Sequence, residues 1–361
     1  MTEETTANDD AVAVGVNSDS VPVDAVEGET VTFAADGGSP ETDRELEPET
    51  LVVKIGGAEA VDPEAAVGDV AHLVANGVRV VVVHGGSTTV DQTLDQMGVE
   101  PEYVETPEGV SGRFTDAETM DVFTMAMAGK VNTDLVARLR NASVDALGLS
   151  GVDGGLLTGP RTSAVRILED GRKKIRRGDH SGRIESVRTE LLELLLSEGH
   201  VPVVSVPMFG DDGEEFRPVN ADADRAAAAV AGALGAPLVA LTDVAGVYAD
   251  PDDPETLIEH VETAAGFETL EDAAEGFMTR KVMAAQEALE AGSPTVVVSE
   301  ATVRDPIVAA LGGAGTRIDR AAVVEEDNTV ADDDVVGDDE AITDGDDEIG
   351  DDDEEAPEVE S

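Results

Sequence analysis

Apolar residues in this chain come in short dense runs, separated by segments with helical spacing. Leu51–Ile55 is broken only by Lys54, and five of the six residues in Val78–Val83 are valine. Val201–Val206, Pro237–Thr242 and Thr295–Val298 repeat the form. Runs this short and this rich in β-branched residues predict strands buried on both faces. Helix signals fill the intervals. Asp62-Pro63 reads as an N-cap followed by proline at the first helical position, and Gly77 ends that helix. Gly85-Gly86-Ser87 leads into a helix ending near Gly98, and Thr115-Asp-Ala-Glu118 reads as a capping box opening a long helix to about Arg140. Further helices are predicted near 186–198, over Asp222–Leu234 and over 280–291. Leu149–Gly155 reads as a loop, and Val165–Leu168 with the basic run after Gly171 as a hairpin. Strands alternating with helices predict an α/β fold: a mainly parallel central sheet covered by helices on both faces, in two lobes. The lobe boundary is placed at 207–213, giving lobes 50–206 and 207–318.

Charge changes this picture at the ends. Residues 1–49 hold fourteen acids and one arginine, and residues 325–361 hold twenty acids with no lysine or arginine. Segments of that composition cannot bury enough apolar surface to order themselves, so disordered acidic tails are expected at 1–49 and 319–361. They carry −13 and −20 of the formal −56, leaving −23 between them. Self-repulsion of this size destabilises a compact fold in dilute buffer. At ~1 M salt the Debye length is about 3 Å and most of it is screened. High acid, five lysines against eighteen arginines, 2% aromatics and no tryptophan together suit a salt-rich cytosol and an interior of alanine and valine. There is no cysteine, which excludes disulfides and thiolate metal sites. No protein metal site is expected. No apolar stretch reaches the ~18 residues of a membrane span, and the first thirty residues show no secretory signal. The expectation is a cytoplasmic protein that binds neither nucleic acid nor membrane.

With lysine so scarce, its positions are informative. Lys54 ends an apolar run and precedes Gly56-Gly57; a second glycine pair follows a strand at His84-Gly85-Gly86-Ser87. Glycines at the carboxyl end of a buried strand, ahead of a helix, let backbone N–H groups approach phosphate oxygens, and ligands of open parallel sheets sit at that edge. Neither pair is a Walker A or a dinucleotide fingerprint. Val219-Asn-Ala-Asp-Ala-Asp224 places Asp222 as a helix cap and Asp224 where a carboxylate can align ammoniums. Leu241-Thr-Asp-Val-Ala-Gly-Val-Tyr248 is a strand running into a glycine turn, and Lys281 follows Gly276 at a helix start.

These five elements, in this order, resemble the amino acid kinase family and its N-acetylglutamate kinase branch, over residues 50–318. Within that branch the chain is most similar to the kinases acting on glutamate or α-aminoadipate attached to the amino-group carrier protein LysW. His-Gly-Gly-Ser in place of His-Gly-Gly-Gly, and Ser111-Gly-Arg-Phe-Thr115, favour that group. The resemblance implies the amino acid kinase αβα sandwich, ATP and Mg²⁺ as cofactors, and a homodimer. It implies that residues 50–206 form the amino-acid-substrate lobe and 207–318 the ATP-binding lobe. Lys54 and Lys281 would flank the transferring phosphoryl group, with Asp224 holding both. Gly56, Gly57 and Gly86 would face phosphate oxygens and Gly85 the substrate. Arg113 would grip the substrate α-carboxylate, Asn220 would bind the same substrate, and Thr242, Asp243 and Tyr248 would lie on the nucleotide side. Asp222 departs from the usual Asn-x-Asn-Ala-Asp pattern, and Gly276-Phe277 stands where Gly-Gly is commoner. The implied activity is ATP-dependent phosphorylation of a carrier-linked side-chain carboxylate to an acyl phosphate, in arginine or lysine biosynthesis. The alternatives are a kinase for free N-acetylglutamate and a non-catalytic nucleotide-binding regulator; retention of both lysines argues against the last.

The basic run remains. Seven of the chain's twenty-three basic residues fall within 171–188. Arg172, Lys173, Lys174, Arg176 and Arg177 read either as a solvated hairpin or, given the resemblance, as a docking patch for an acidic carrier. Long-range steering is lost in molar salt, so docking there depends on direct arginine–carboxylate contacts.

Overall fold

The computed structural model describes residues 50–56, 63–107, 111–169, 171–274 and 276–324. The acidic segments 1–49 and 325–361, the expected Asp62 cap, Gly57 and Asp170 lie outside the described residues. In chain order the elements are β1 (Thr50–Ile55), α1 (Pro63–Ala75), β2 (Arg79–His84), α2 (Ser87–Met97), β3 (Glu102–Glu105), β4 (Ser111–Phe114), α3 (Ala117–Thr124) and α4 (Asn132–Asn141). There follow β5 (Ala146–Gly151), β6 (Leu157–Glu169), β7 (Arg172–Gly182), β8 (Ser186–Val187), α5 (Thr189–Ser197), β9 (Val201–Asp211), β10 (Phe216–Val219) and α6 (Ala223–Leu234). The chain closes with β11 (Leu238–Thr242), β12 (His260–Val261), α7 (Ala264–Ala273), α8 (Phe277–Glu290), β13 (Thr295–Glu300), α9 (Pro306–Leu311) and β14 (Thr316–Asp319).

Twelve strands form one sheet along the path β12-β14-β13-β11-β1-β2-β9-β6-β7, with β5 and β10 also on β9 and β8 on β6. The centre is parallel, as the dense valine runs predict, and β7, β8, β10 and β14 add antiparallel pairs. Helices cover both faces. Period-2 alternation assigns the faces: Leu51, Val53 and Ile55 pack with residues of α1, α4 and α9, whereas Val52 packs with α6 and α8. Lys54 therefore shares its face with α6 and α8, while His84, in phase with Val80 and Val82, lies on the α4 face. Alanine fills much of the interior, notably Ala226, Ala227, Ala228 and Ala231 of α6 against Ala284, Ala285 and Ala288 of α8. A Cβ on Gly232 of α6 would come within 2.4 Å of Ala291 Cβ.

Several expectations are corrected. The cap of α3 is Asp116, whose carboxylate accepts from Thr119 N, and not Thr115, which is fully buried and bonded elsewhere. The helix does not run unbroken to Arg140, because a π-helical turn, Met125–Val131, separates α3 from α4. Leu149–Gly151 ends strand β5 instead of lying in a loop. The segment 186–198 divides into β8 and α5. Strand β9 continues to Asp211, so the boundary at 206/207 falls inside a strand and both halves share one sheet. Arg320–Ala322 forms a short 3₁₀ turn with Ala322 buried, so the folded chain passes residue 318. Among the described residues no helix is long and apolar enough to cross a membrane.

Asp69 shows how two distant elements are joined. Its buried Oδ2 accepts from Ile307 N at 2.6 Å and Val308 N at 3.1 Å, capping α9 from α1. Removing that acceptor leaves two helix-start donors unsatisfied. Asp69→Ala is expected to lower the free energy of unfolding by about 1–2 kcal/mol, read from the denaturant midpoint at constant salt.

Candidate functional site

The site lies at the carboxyl edge of β1, β2 and β11. Lys54 leaves β1 on the α6 face and is buried, and its Nζ meets Asp224 Oδ1 at 2.5 Å, an ion pair by distance without the angles of an aligned hydrogen bond. Lys281 reaches Asp224 Oδ2 at 3.4 Å from α8. It sits one turn into that helix, which starts at Phe277 and not at 280. Asp222 caps α6, accepting from Asp224 N and Arg225 N, and this fixes the first turn that carries Asp224. Burial alone would raise the Asp224 carboxyl, but the charges of Lys54 and then Lys281 outweigh it and hold the group at about 2. Burial, then the Lys54 charge, push the Lys281 ammonium down, opposed by Asp224. Two ammoniums thus share one carboxylate, leaving positive charge at the sheet edge.

The His84-Gly-Gly-Ser turn is held from below. Gly85 N–H donates to Ile55 O at 3.0 Å, joining the ends of β1 and β2. His84 is buried, with Nδ1 3.0 Å from Gly85 O and Nε2 3.0 Å from Asn132 Nδ2. Asn132 also donates to Val203 O at 2.8 Å. Asn132 Nδ2–H must donate to Nε2, so Nδ1–H donates to the carbonyl and the ring is neutral. Burial first, and the Lys54 charge, push its pKa down to about 4, against the Gly85 contact. His84 therefore supports the turn. Asn132 was not singled out in the sequence; it begins α4 directly after the π-helical turn, a device that often marks functional sites. A Cβ on Gly86 would come within 2.7 Å of Met127 Sδ in that turn.

Arg113 stands beside the same turn. Its Nη2 lies 2.8 Å from Asp91 Oδ1, 3.0 Å from Tyr103 Oη and 3.3 Å from Ser87 O. Nη1 is buried without a partner among the described residues. Such a donor is costly unless a ligand oxygen meets it. Asn220, just ahead of α6, donates through Nδ2 to Thr115 Oγ1 at 2.9 Å, two residues along the chain from Arg113. On the other side of β1, Thr242 is buried at the end of β11 and donates to Asp243 Oδ1 at 2.9 Å. Tyr248 lies further along the same connection, bridged to Leu257. Gly56 follows β1 at the same edge. The structure thus brings Lys54, Asp224 and Lys281 into contact, and Arg113 against Ser87. It shows no hydrogen bond or ion pair of Thr242, Asp243 or Tyr248 with the lysines among the described residues.

The basic run forms the tip of the β6–β7 hairpin. Arg176 is engaged within the chain: it pairs with Glu102 and its Cζ lies 4.4 Å from the Phe114 ring centroid. Lys174 pairs with Glu169 at 2.6 Å. Arg172, Lys173 and Arg177 have no acidic partner among the described residues. Strand alternation puts Lys173, Ile175 and Arg177 on one face with Arg166 and Leu168 opposite them on β6. Ile175 is 65% exposed. Away from the site, His260, Glu262 and Asp319 bring three potential metal-ligand atoms within 4.8 Å of one another at the β12–β14 edge, where Arg317 Nε also holds Asp319 at 2.9 Å.

Two lysines on one carboxylate, at the carboxyl edge of a parallel-centred sheet covered on both faces, mark the class of protein as an α/β enzyme that handles concentrated negative charge. The amino acid kinase family model matches residues 49–299, and the chain belongs to that family. It is 39% identical to the [LysW]-aminoadipate kinase of Thermus thermophilus over 272 residues, covering 74% of this chain and 98% of that one. It is 44% identical over 251 residues to the acetylglutamate kinase of Methanopyrus kandleri, covering 69% and 94%. Among solved structures, N-acetylglutamate synthase from Neisseria gonorrhoeae, complexed with coenzyme A and N-acetyl-glutamate, has a TM-score of 0.59 at 27% identity. That match covers 75% of this chain and 59% of the synthase chain.

The two shifted groups predict distinct acid responses. A depressed pKa adds stability that is present above the unfolded value and lost as pH falls through the folded one. For His84 the loss runs from pH about 6.5 to about 4, and for Asp224 from about 3.8 to about 2. His84→Asn is expected to flatten the denaturation midpoint in the upper window and Asp224→Asn in the lower, each leaving the other slope in place.

Proposed function

We propose that this protein is an ATP-dependent kinase that phosphorylates the side-chain carboxylate of glutamate or α-aminoadipate held on an acidic LysW-type carrier protein. The observation that carries the reading is the Lys54–Asp224–Lys281 clamp, together with the buried Arg113 Nη1 that has no partner among the described residues. A carboxylate nucleophile is already ionised and needs no general base. One of its oxygens bonds to the γ-phosphorus, the bond from the β–γ bridging oxygen to that phosphorus breaks, and ADP leaves. The obstacle is repulsion between anions. Lys54 and Lys281 offset it, Asp224 aligns them, and Gly56 and Gly86 offer backbone donors at the strand ends. Mg²⁺ arrives with ATP as part of the substrate. Arg113 receives the amino acid's α-carboxylate, Asn220 binds from the opposite side, and Thr242, Asp243 and Tyr248 serve the nucleotide.

The carrier enters the proposal through the relatives' names and through the hairpin. Its outward face joins Arg166, Lys173 and Arg177 to the exposed Ile175 and Leu168, a basic and apolar surface suited to an acidic protein. Arg176 and Lys174 are engaged by Glu102 and Glu169 of the same chain, so docking rests on the former set. A homodimer is the assembly the resemblance implies. The acetylglutamate kinase relative supports a second reading, in which the acceptor is free N-acetylglutamate.

Hydroxylamine trapping with MgATP in high salt, offering carrier-linked aminoadipate, carrier-linked glutamate and N-acetylglutamate side by side, separates these readings. Acyl hydroxamate formed most efficiently on a carrier-linked acceptor is expected; none from any acceptor would reject the kinase proposal. Lys54→Ala and Lys281→Ala should each lower kcat by about 10²-fold or more. Replacing Arg166, Lys173 and Arg177 together by glutamine should raise KM for carrier-linked acceptor about tenfold and leave a free acceptor analogue unchanged. Equal loss on both would sink the docking face.

A further inference from the structure

Asp179 is a buried carboxylate that the mechanism above does not use. It lies on β7 where the exposed hairpin arm meets the body, and it is 1% exposed. Two features mark that junction: Gly178 has φ of 94°, and the β6–β7 register shifts between Thr162 and Ala164. From there Asp179 reaches toward both acceptor-binding residues. Its Oδ1 accepts Thr115 N–H at 2.9 Å, two residues beyond Arg113, and its Oδ2 accepts the Ser181 hydroxyl. Its carbonyl receives two hydrogen bonds from Arg161, at 3.2 and 2.9 Å.

The neighbouring backbone completes the joint. His180 N donates to Thr115 O at 2.7 Å, Asn220 N donates to His180 O at 2.7 Å, and Gly182 N donates to Asn220 O at 2.8 Å. Thr115 then presents Oγ1 to the Asn220 amide at 2.9 Å. Strand β4, the base of β7 and the segment leading into α6 are thus knotted at one point. A Cβ on Gly182 would come within 2.7 Å of Val219 Cγ2, so the base of the arm has little room to shift. A buried carboxylate with both oxygens engaged is a strong local organiser, because each lost bond leaves a desolvated group unsatisfied.

We propose that Asp179 is a positioning residue that sets Arg113 and Asn220 for the acceptor, tying the base of the hairpin arm to the acceptor site. It touches no reacting atom. The proposal rests on the kinase reading for what Arg113 and Asn220 bind, but its structural half stands apart from it.

The test compares Asp179→Ala, Asp179→Asn and Thr115→Val in the full chain at high salt. Asparagine keeps an acceptor oxygen for Thr115 N–H and an amide for Ser181. Asp179→Ala should raise the acceptor KM about tenfold while KM for MgATP stays within about twofold, and asparagine should restore most of the loss. Thr115→Val, which removes only the anchor of Asn220, should raise the acceptor KM alone. Deuterium uptake over residues 111–117 and at His180 should rise in the alanine variant and not in the asparagine variant. Overturning results are an asparagine variant as impaired as alanine, a MgATP KM rising in step with that of the acceptor, a Thr115→Val variant with wild-type acceptor KM, or unchanged uptake in Asp179→Ala. If the wild-type chain makes no acyl phosphate at all, the kinase reading fails while the exchange result still decides the role of Asp179.

Discussion

A single carboxylate makes this site possible. Two ammoniums brought together in a half-dry sheet edge repel each other. Asp224 gives both a counter-charge at once. It can do so only because three separate constraints agree: the β1 alternation that turns Lys54 toward α6, the Asp222 cap that fixes the first turn of α6, and the small-residue packing that lets α8 carry Lys281 close. If the α6 turn shifts, both ammoniums lose their shared counter-charge; if either lysine is displaced, the other keeps it.

The remainder of the site is built on groups that hold still. His84 is neutral and clamped between a carbonyl and an asparagine; Gly85 N–H is committed to β1; Thr115 and Asp179 bind each other and their neighbours. Chemistry by electrostatics requires this, since donors that must reorganise as charge moves lose much of their effect. Arg113 differs: its buried Nη1 meets no partner among the described residues, and that is the property expected of a group that receives a ligand.

Much of this was legible in the sequence. The valine runs gave the central strands because strands buried on both faces tolerate little else. Lysine scarcity made Lys54 and Lys281 conspicuous, and glycine pairs after strands located the edge. Other parts were hidden for physical reasons. Thr115-Asp-Ala-Glu118 and Asp116-Ala-Glu-Thr119 both satisfy a cap pattern, and only tertiary bonding to Asp179 and Asn220 draws Thr115 inward. The strands Glu102–Glu105 and Ser111–Phe114 are too short and polar to show alternation. Asn132 and Asp179 act through contacts 48 and 64 residues away in sequence, which no local pattern records. The hairpin was visible as a charge run, but which cations it keeps for itself was not, because Glu102 and Phe114 lie on a different element.

The contact between Gly232 and Ala291 has a mechanical meaning. It sits at the far ends of α6 and α8, whose near ends carry Asp224 and Lys281. With backbone pressed against methyl groups, no long side chain there can yield, and this end acts as a pivot. Eight residues of helix separate Gly232 from Asp224, about 12 Å at the usual rise. Any added volume at the pivot would swing the two helices like the arms of calipers. The gap between Asp224 and Lys281 is therefore gauged at a place that carries no charge and touches no ligand.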